Sequence, residues 1–98
     1  MMDVKKTLEG NALTVALTGR LDTTTAPQLE AEVGNLDEVD SLLFDFADLE
    51  YISSAGLRVL LGCQKQMSRK GGMVIKNVND TIMEVFEITG FADILTVE

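Results

Sequence analysis

The chain has 98 residues, 46% of them hydrophobic, which points to one domain around one core and excludes a disordered tail. Sixteen Asp and Glu against eight Lys and Arg leave a net charge of −8, which argues against binding nucleic acid or docking on anionic lipid. With no His and a single Cys, the usual general base, a Cys/His nucleophile pair and most zinc sites are excluded, so no catalytic residue, metal or cofactor is expected.

Two strands, Val4 to Glu9 and Ala12 to Gly19, are predicted on either side of a tight Gly10-Asn11 turn. In the second, Leu13, Val15 and Leu17 alternate with Thr14, Ala16 and Thr18, the period of a half-buried strand. Thr25 followed by Gln28 matches a capping box, with Pro27 in the first turn of a helix whose stripe is Ala26, Leu29, Val33 and Leu36. Leu42 to Phe46 is an apolar run read as a central strand, and a short acidic loop is expected after it. A second helix is predicted from near Ser54 to Lys70, with Leu57, Leu60, Leu61 and Met67 inward and Gly71 as its stop. Met73 to Lys76 is a further strand, and Asn79, Asp80 or Thr81 caps a third helix carrying Ile82, Val85 and Phe86 as far as Gly90. Ile94 to Val97 closes the sheet. Strands alternating with helices after an opening hairpin imply an α/β fold: a mixed sheet, antiparallel at its start, with right-handed crossovers and helices packed on it. The whole of 1–98 is treated as one such domain.

Cys63 has no internal disulfide partner and reads as a small core hydrophobe, as Met67, Met73 and Met83 read as core filler. No stretch approaches the roughly 18 apolar residues a membrane helix needs. Met1 to Lys6 lacks the apolar run of a secretory leader, so a cytoplasmic protein without membrane insertion is expected. Glu30, Glu32, Asp37, Glu38 and Asp40 read as a solvated acidic face around the first helix.

The segment Asp45 to Leu61 places two serines, Ser53 and Ser54, where the second helix begins. Either hydroxyl suits an N-cap, typically worth about 1 kcal/mol. The same helix start, with its unpaired N–H groups and partial positive charge, would also tolerate a phosphate carrying about 1.5 to 2 negative charges. Gly56 is expected to leave that turn open to another protein's backbone or to a nucleotide. Serine-nucleophile catalysis is disfavoured, because there is no His and Lys65 and Lys70 lie turns away. Gly71-Gly72 follows a helix and precedes a strand, the wrong order for a phosphate cradle, and no nucleotide-binding glycine motif is present.

Gly19-Arg20-Leu21-Asp22, Tyr51-Ile52-Ser53-Ser54-Ala55-Gly56-Leu57 and Val85-Phe86-Glu87-Ile88-Thr89-Gly90-Phe91, in this order and at these distances, resemble the STAS domain family. Nearly the whole chain is covered, and it looks most like the free-standing bacterial anti-sigma factor antagonists. The resemblance implies a non-enzymatic protein. Its unmodified form would bind an anti-sigma factor that is also an ATP-dependent serine kinase, freeing the sigma factor. Phosphorylation would break the complex and a serine phosphatase would restore it. By position the acceptor is Ser54, two residues before Gly56. Many relatives carry Asp directly before the acceptor and Ser or Thr directly after it, whereas this chain has Ser53 and Ala55, which leaves Ser53 as second choice. Partner contacts are implied at Asp22, Thr23, Ser53, Ala55, Gly56 and Arg58, in a patch expected to include Asp48 and Glu50. Arg58, four residues after Ser54 and so on the same helical face, would pair with the phosphate or with an acidic group of the kinase. The alternative is a constitutive STAS subunit resting on the ATPase of a bacterial lipid transporter, with the serine serving only as a cap.

Overall fold

The computed structural model describes residues 2–98; Met1, the first residue of the segment read as lacking a leader, lies outside them. The elements are β1 (Met2–Glu9), β2 (Ala12–Leu21), α1 (Ala26–Val33), β3 (Ser41–Ile52), α2 (Ser54–Met67), β4 (Met73–Lys76), α3 (Asp80–Thr89), a 3-10 turn (Phe91–Asp93) and β5 (Thr96–Val97). The five strands form one sheet in the order β1-β2-β3-β4-β5, with β1 antiparallel to β2 and every later pair parallel. Gly10 takes φ 61° in the two-residue hairpin loop, a left-handed value that costs glycine nothing. This is the α/β architecture expected from the alternation of apolar segments.

One face of the sheet carries the core. Leu13, Val15, Leu17 and Leu21 of β2, Leu42, Phe44 and Phe46 of β3, and Met73 and Ile75 of β4 are all buried. The helices supply the opposing side with Ala26, Leu29 and Val33 from α1, Leu57, Leu60, Cys63 and Met67 from α2, and Ile82 and Phe86 from α3. Thr14, Ala16, Leu43, Asp45 and Val74 point the other way and are only half-buried, so among the described residues no layer covers the second face of the sheet.

Several boundaries differ from the sequence reading. The acidic stretch after Phe46 is not a loop: β3 continues to Ile52 and absorbs two extra residues relative to β2, one between Asp45 and Asp48 and one between Leu49 and Tyr51. These bulges turn Phe46, Leu49 and Ile52, spaced three apart, onto the same buried face. The first helix stops at Val33, where Gly34 adopts φ 59°; Leu36 is fully buried, but from the following loop. The second helix stops at Met67, short of Lys70. Lys70 then folds back, and its Nζ donates to the carbonyls of Leu36, Asp37 and Val39, while Gly71 N donates to Asp40 O at 2.8 Å. Leu61, predicted inward, is half-buried.

Candidate site at the start of the second helix

The carboxyl ends of β2 and β3 lie side by side, Leu21 beside Ile52, and Ser53 N donates to Leu21 O at 2.9 Å. This pairing brings the Asp22–Thr25 segment next to the two serines. Ser53 is extended (φ −105°, ψ 175°) and occupies the N-cap position, and its carbonyl accepts the first helical bond, from Leu57 N, at 3.0 Å. The N–H groups of Ser54, Ala55 and Gly56 therefore have no acceptor within the helix.

The two hydroxyls differ. Ser53 Oγ is buried and makes no hydrogen bond among the described residues, so its side chain does not cap the helix. Ser54, one residue on in the first turn, is exposed. Arg58 is exposed on the same helical face, one turn later, and Ala55 is half-buried.

Gly56 is buried, which corrects the expectation that it leaves the turn open to a partner. A Cβ there would stand 2.6 Å from Cγ of Leu21 and 2.9 Å from Cγ1 of Ile52. The missing side chain lets the helix start rest directly on the sheet ends, which sets how far Ser54 stands above them.

The segment before α1 is held by a capping box three residues upstream of the predicted one. Asp22 Oδ1 accepts from Thr24 N at 3.0 Å, Thr25 N at 3.2 Å and Thr24 Oγ1 at 2.7 Å. Thr25 Oγ1 accepts in return from Asp22 N at 2.8 Å and donates to Arg20 O at 2.8 Å. Gln28, cast as the second half of the box, instead sends Nε2 to Met2 O at 3.0 Å. The Thr24 hydroxyl, foremost, together with the Thr24 and Thr25 N–H groups, holds the Asp22 carboxyl below its ordinary value of 3.8.

Between the starts of α1 and α2 runs a groove of about 270 Å³ lined by Thr23, Ala26, Pro27, Glu30, Ala55, Arg58 and Val59. It unites Thr23, Ala55 and Arg58 of the predicted site and adds Pro27, Glu30 and Val59, which sequence spacing alone did not single out. Asp48 does not join this patch: it is exposed and paired with Thr18 on the uncovered sheet face. Arg20, whose guanidinium carbon lies 4.6 Å from the centroid of the Tyr51 ring, flanks the site as a cation–π pair that went unnoticed in the sequence. Only the pairing of Arg20 with Tyr51 across β2 and β3 reveals it.

Comparison with known proteins places these features in context. Residues 3–98 match the family model described as the STAS domain. The chain is 40% identical over 88 residues, 87% of its own length and 76% of the other's, to BtrV of Bordetella bronchiseptica, a candidate anti-sigma factor antagonist by name. It is 31% identical over 98 residues to the anti-sigma-B factor antagonist of Bacillus subtilis, covering 98% of this chain and 88% of that one. Among solved structures it resembles the phosphorylated form of the Bacillus cell fate determinant SpoIIAA with a TM-score of 0.73 at 19% identity, over 100% of this chain and 91% of that one.

Proposed function

The chain belongs to the STAS domain family, and from that premise we propose that it is an anti-sigma factor antagonist gated by phosphorylation of Ser54. Unmodified, it binds an anti-sigma factor that is also an ATP-dependent serine kinase, and the sigma factor is released. The kinase transfers a phosphoryl group to Ser54 Oγ, the complex dissociates, and a serine phosphatase hydrolyses the phosphoserine. The chain itself performs no catalysis and holds no cofactor. The relatives' names as antagonists and the phosphorylated form solved for SpoIIAA support this reading.

The observation that carries it is the contrast between the two serines. Ser54 is exposed at the helix start, whereas Ser53 Oγ is shut away from solvent and from a kinase. A phosphoryl group on Ser54 sits over the free N–H groups of the first turn, so the fold tolerates it. The cost falls on the complex. Two added negative charges against a surface complementary to a neutral hydroxyl weaken binding about a hundredfold. The Asp22 loop, the groove at Thr23 and Ala55, and Arg58 form the remainder of the partner face.

The test is a pull-down from the native organism with Ser54→Ala, Ser54→Asp and Ser53→Ala chains as baits. Ser54→Ala and Ser53→Ala retain an ATP-binding serine kinase and Ser54→Asp loses it. If both Ser54 variants hold the same transporter ATPase instead, the chain is a constitutive subunit and the proposal is wrong.

A further inference from the structure

β1 is an edge strand of eight residues, and from Lys5 to Glu9 every one is exposed. The opposite edge, β5, has two residues. The outward row of N–H and C=O groups on β1 is the longest stretch of unpaired backbone the sheet presents, and such a row is a template for another strand. Its chemistry restricts what fits.

Glu9 and Ala12 flank the two-residue loop, so they form a hydrogen-bonded pair. Bonding to β2 then alternates along the strand through Thr7, Lys5 and Asp3, and the backbone groups of Met2, Val4, Lys6 and Leu8 face outward. The contact from Gln28 Nε2 to Met2 O agrees with this phase, and it also occupies the outward carbonyl at that end of the edge.

We propose that β1 pairs antiparallel with β1 of a second copy about a twofold axis at Thr7. Four centred registers compatible with the outward phase pair five or more β1 residues from each copy; axes at Asp3 or Leu8 pair only three. An axis at Lys6 sets Asp3 against Glu9, and an axis at Lys5 sets Lys5 against itself, so both are repulsive. An axis at Val4 needs the Met2 carbonyl that Gln28 holds. With the axis at Thr7, Lys5 faces Glu9 of the other copy twice, in the closely spaced non-hydrogen-bonded positions, and Thr7 faces Thr7. Lys6 and Leu8 exchange backbone bonds across the same axis. Leu8, 61% exposed in one copy, comes to lie beside the aliphatic stem of Lys6 from the other. The lysines that would deter other strands thus select one register.

The product is a continuous ten-stranded sheet in which each Ser54 follows β3, two strands away from the seam strand β1. Pairing is independent of the switch, so its test is separate from that of the proposed function. Sedimentation equilibrium of the full chain from micromolar to millimolar concentration yields a mass rising toward twice the 10.7 kDa of one chain. Lys5→Glu and Glu9→Lys each weaken self-association about tenfold, because each converts two attractive cross-strand pairs into repulsive ones. The double variant Lys5→Glu/Glu9→Lys restores it, and Ser54→Asp leaves it unchanged. Far-UV circular dichroism confirms that each variant is folded. A chain that stays monomeric to millimolar concentration, or a double variant no better than the singles, overturns the proposal.

Discussion

An ideal Cβ on Gly56 would overlap Leu21 and Ile52, at 2.6 Å and 2.9 Å from their nearest carbons. Gly56→Ala therefore forces the first turn of α2 away from the sheet, and it destabilises the fold by about 1–3 kcal/mol despite the better helix propensity of alanine. Urea denaturation measures the loss. Leu21→Ala in the same chain recovers part of it if the two side chains compete for one space. Asp22 makes a prediction of a different kind. Its carboxyl is held below 3.8 by the Thr24 hydroxyl first and by two backbone N–H groups, so folding favours its charged form. The resulting stabilisation is complete above the unfolded value of 3.8 and fades as pH falls through the lower folded value. Asp45, which accepts from Asn77 Nδ2 at 2.9 Å, behaves in the same sense. A carboxylate NMR titration shows both midpoints below 3.8, and Thr24→Ala raises that of Asp22 alone.

Elements were legible wherever one periodicity ran unbroken. The alternation in β2, the stripe of α3 and the hairpin loop follow directly from residue order. Asn79 was one of three caps the sequence allowed for α3, and its side chain accepts from Ile82 N at 2.8 Å. The second half of β3 was hidden because its bulges change the apolar spacing from two to three, a pattern that alone reads as neither strand nor solvated loop. At the candidate site the serines, Gly56 and Arg58 were visible as residues. What each one faces was not, because that depends on Leu21 and Ile52 arriving together from distant parts of the chain. The same holds for Lys70, which was expected to be the last residue of the second helix. Its ammonium instead gathers the carbonyls of Leu36, Asp37 and Val39 and pins the loop between α1 and β3. Lys70→Met keeps the stem and removes the donors. It costs about 1–2 kcal/mol in thermal or chemical unfolding and accelerates hydrogen exchange at Val39 and Asp40 of that loop ahead of the sheet.

Across the whole molecule, charge and core are segregated in ways that can be probed. Cys63 lies in the core between α1 and α2; burial foremost, and then the nearby charge of Glu30, push its thiol up to about 11. At pH 8 it stays a protonated thiol, and a thiol reagent modifies it only at the rate of opening, so labelling and global unfolding share one denaturant midpoint. The sign at high pH follows from the same shift. Stability is lost as pH rises from the ordinary 9.0 toward about 11, because only the unfolded chain ionises freely there.

The strand order β1-β2-β3-β4-β5 is also the order of synthesis. Each strand is laid beside the one made just before it, and none waits for a later segment to be inserted between neighbours. Pairings therefore stay as local in sequence as a parallel sheet permits, which keeps loop closure modest and favours rapid folding. After the hairpin, each added strand is reached by a single helical crossover from the strand it pairs with.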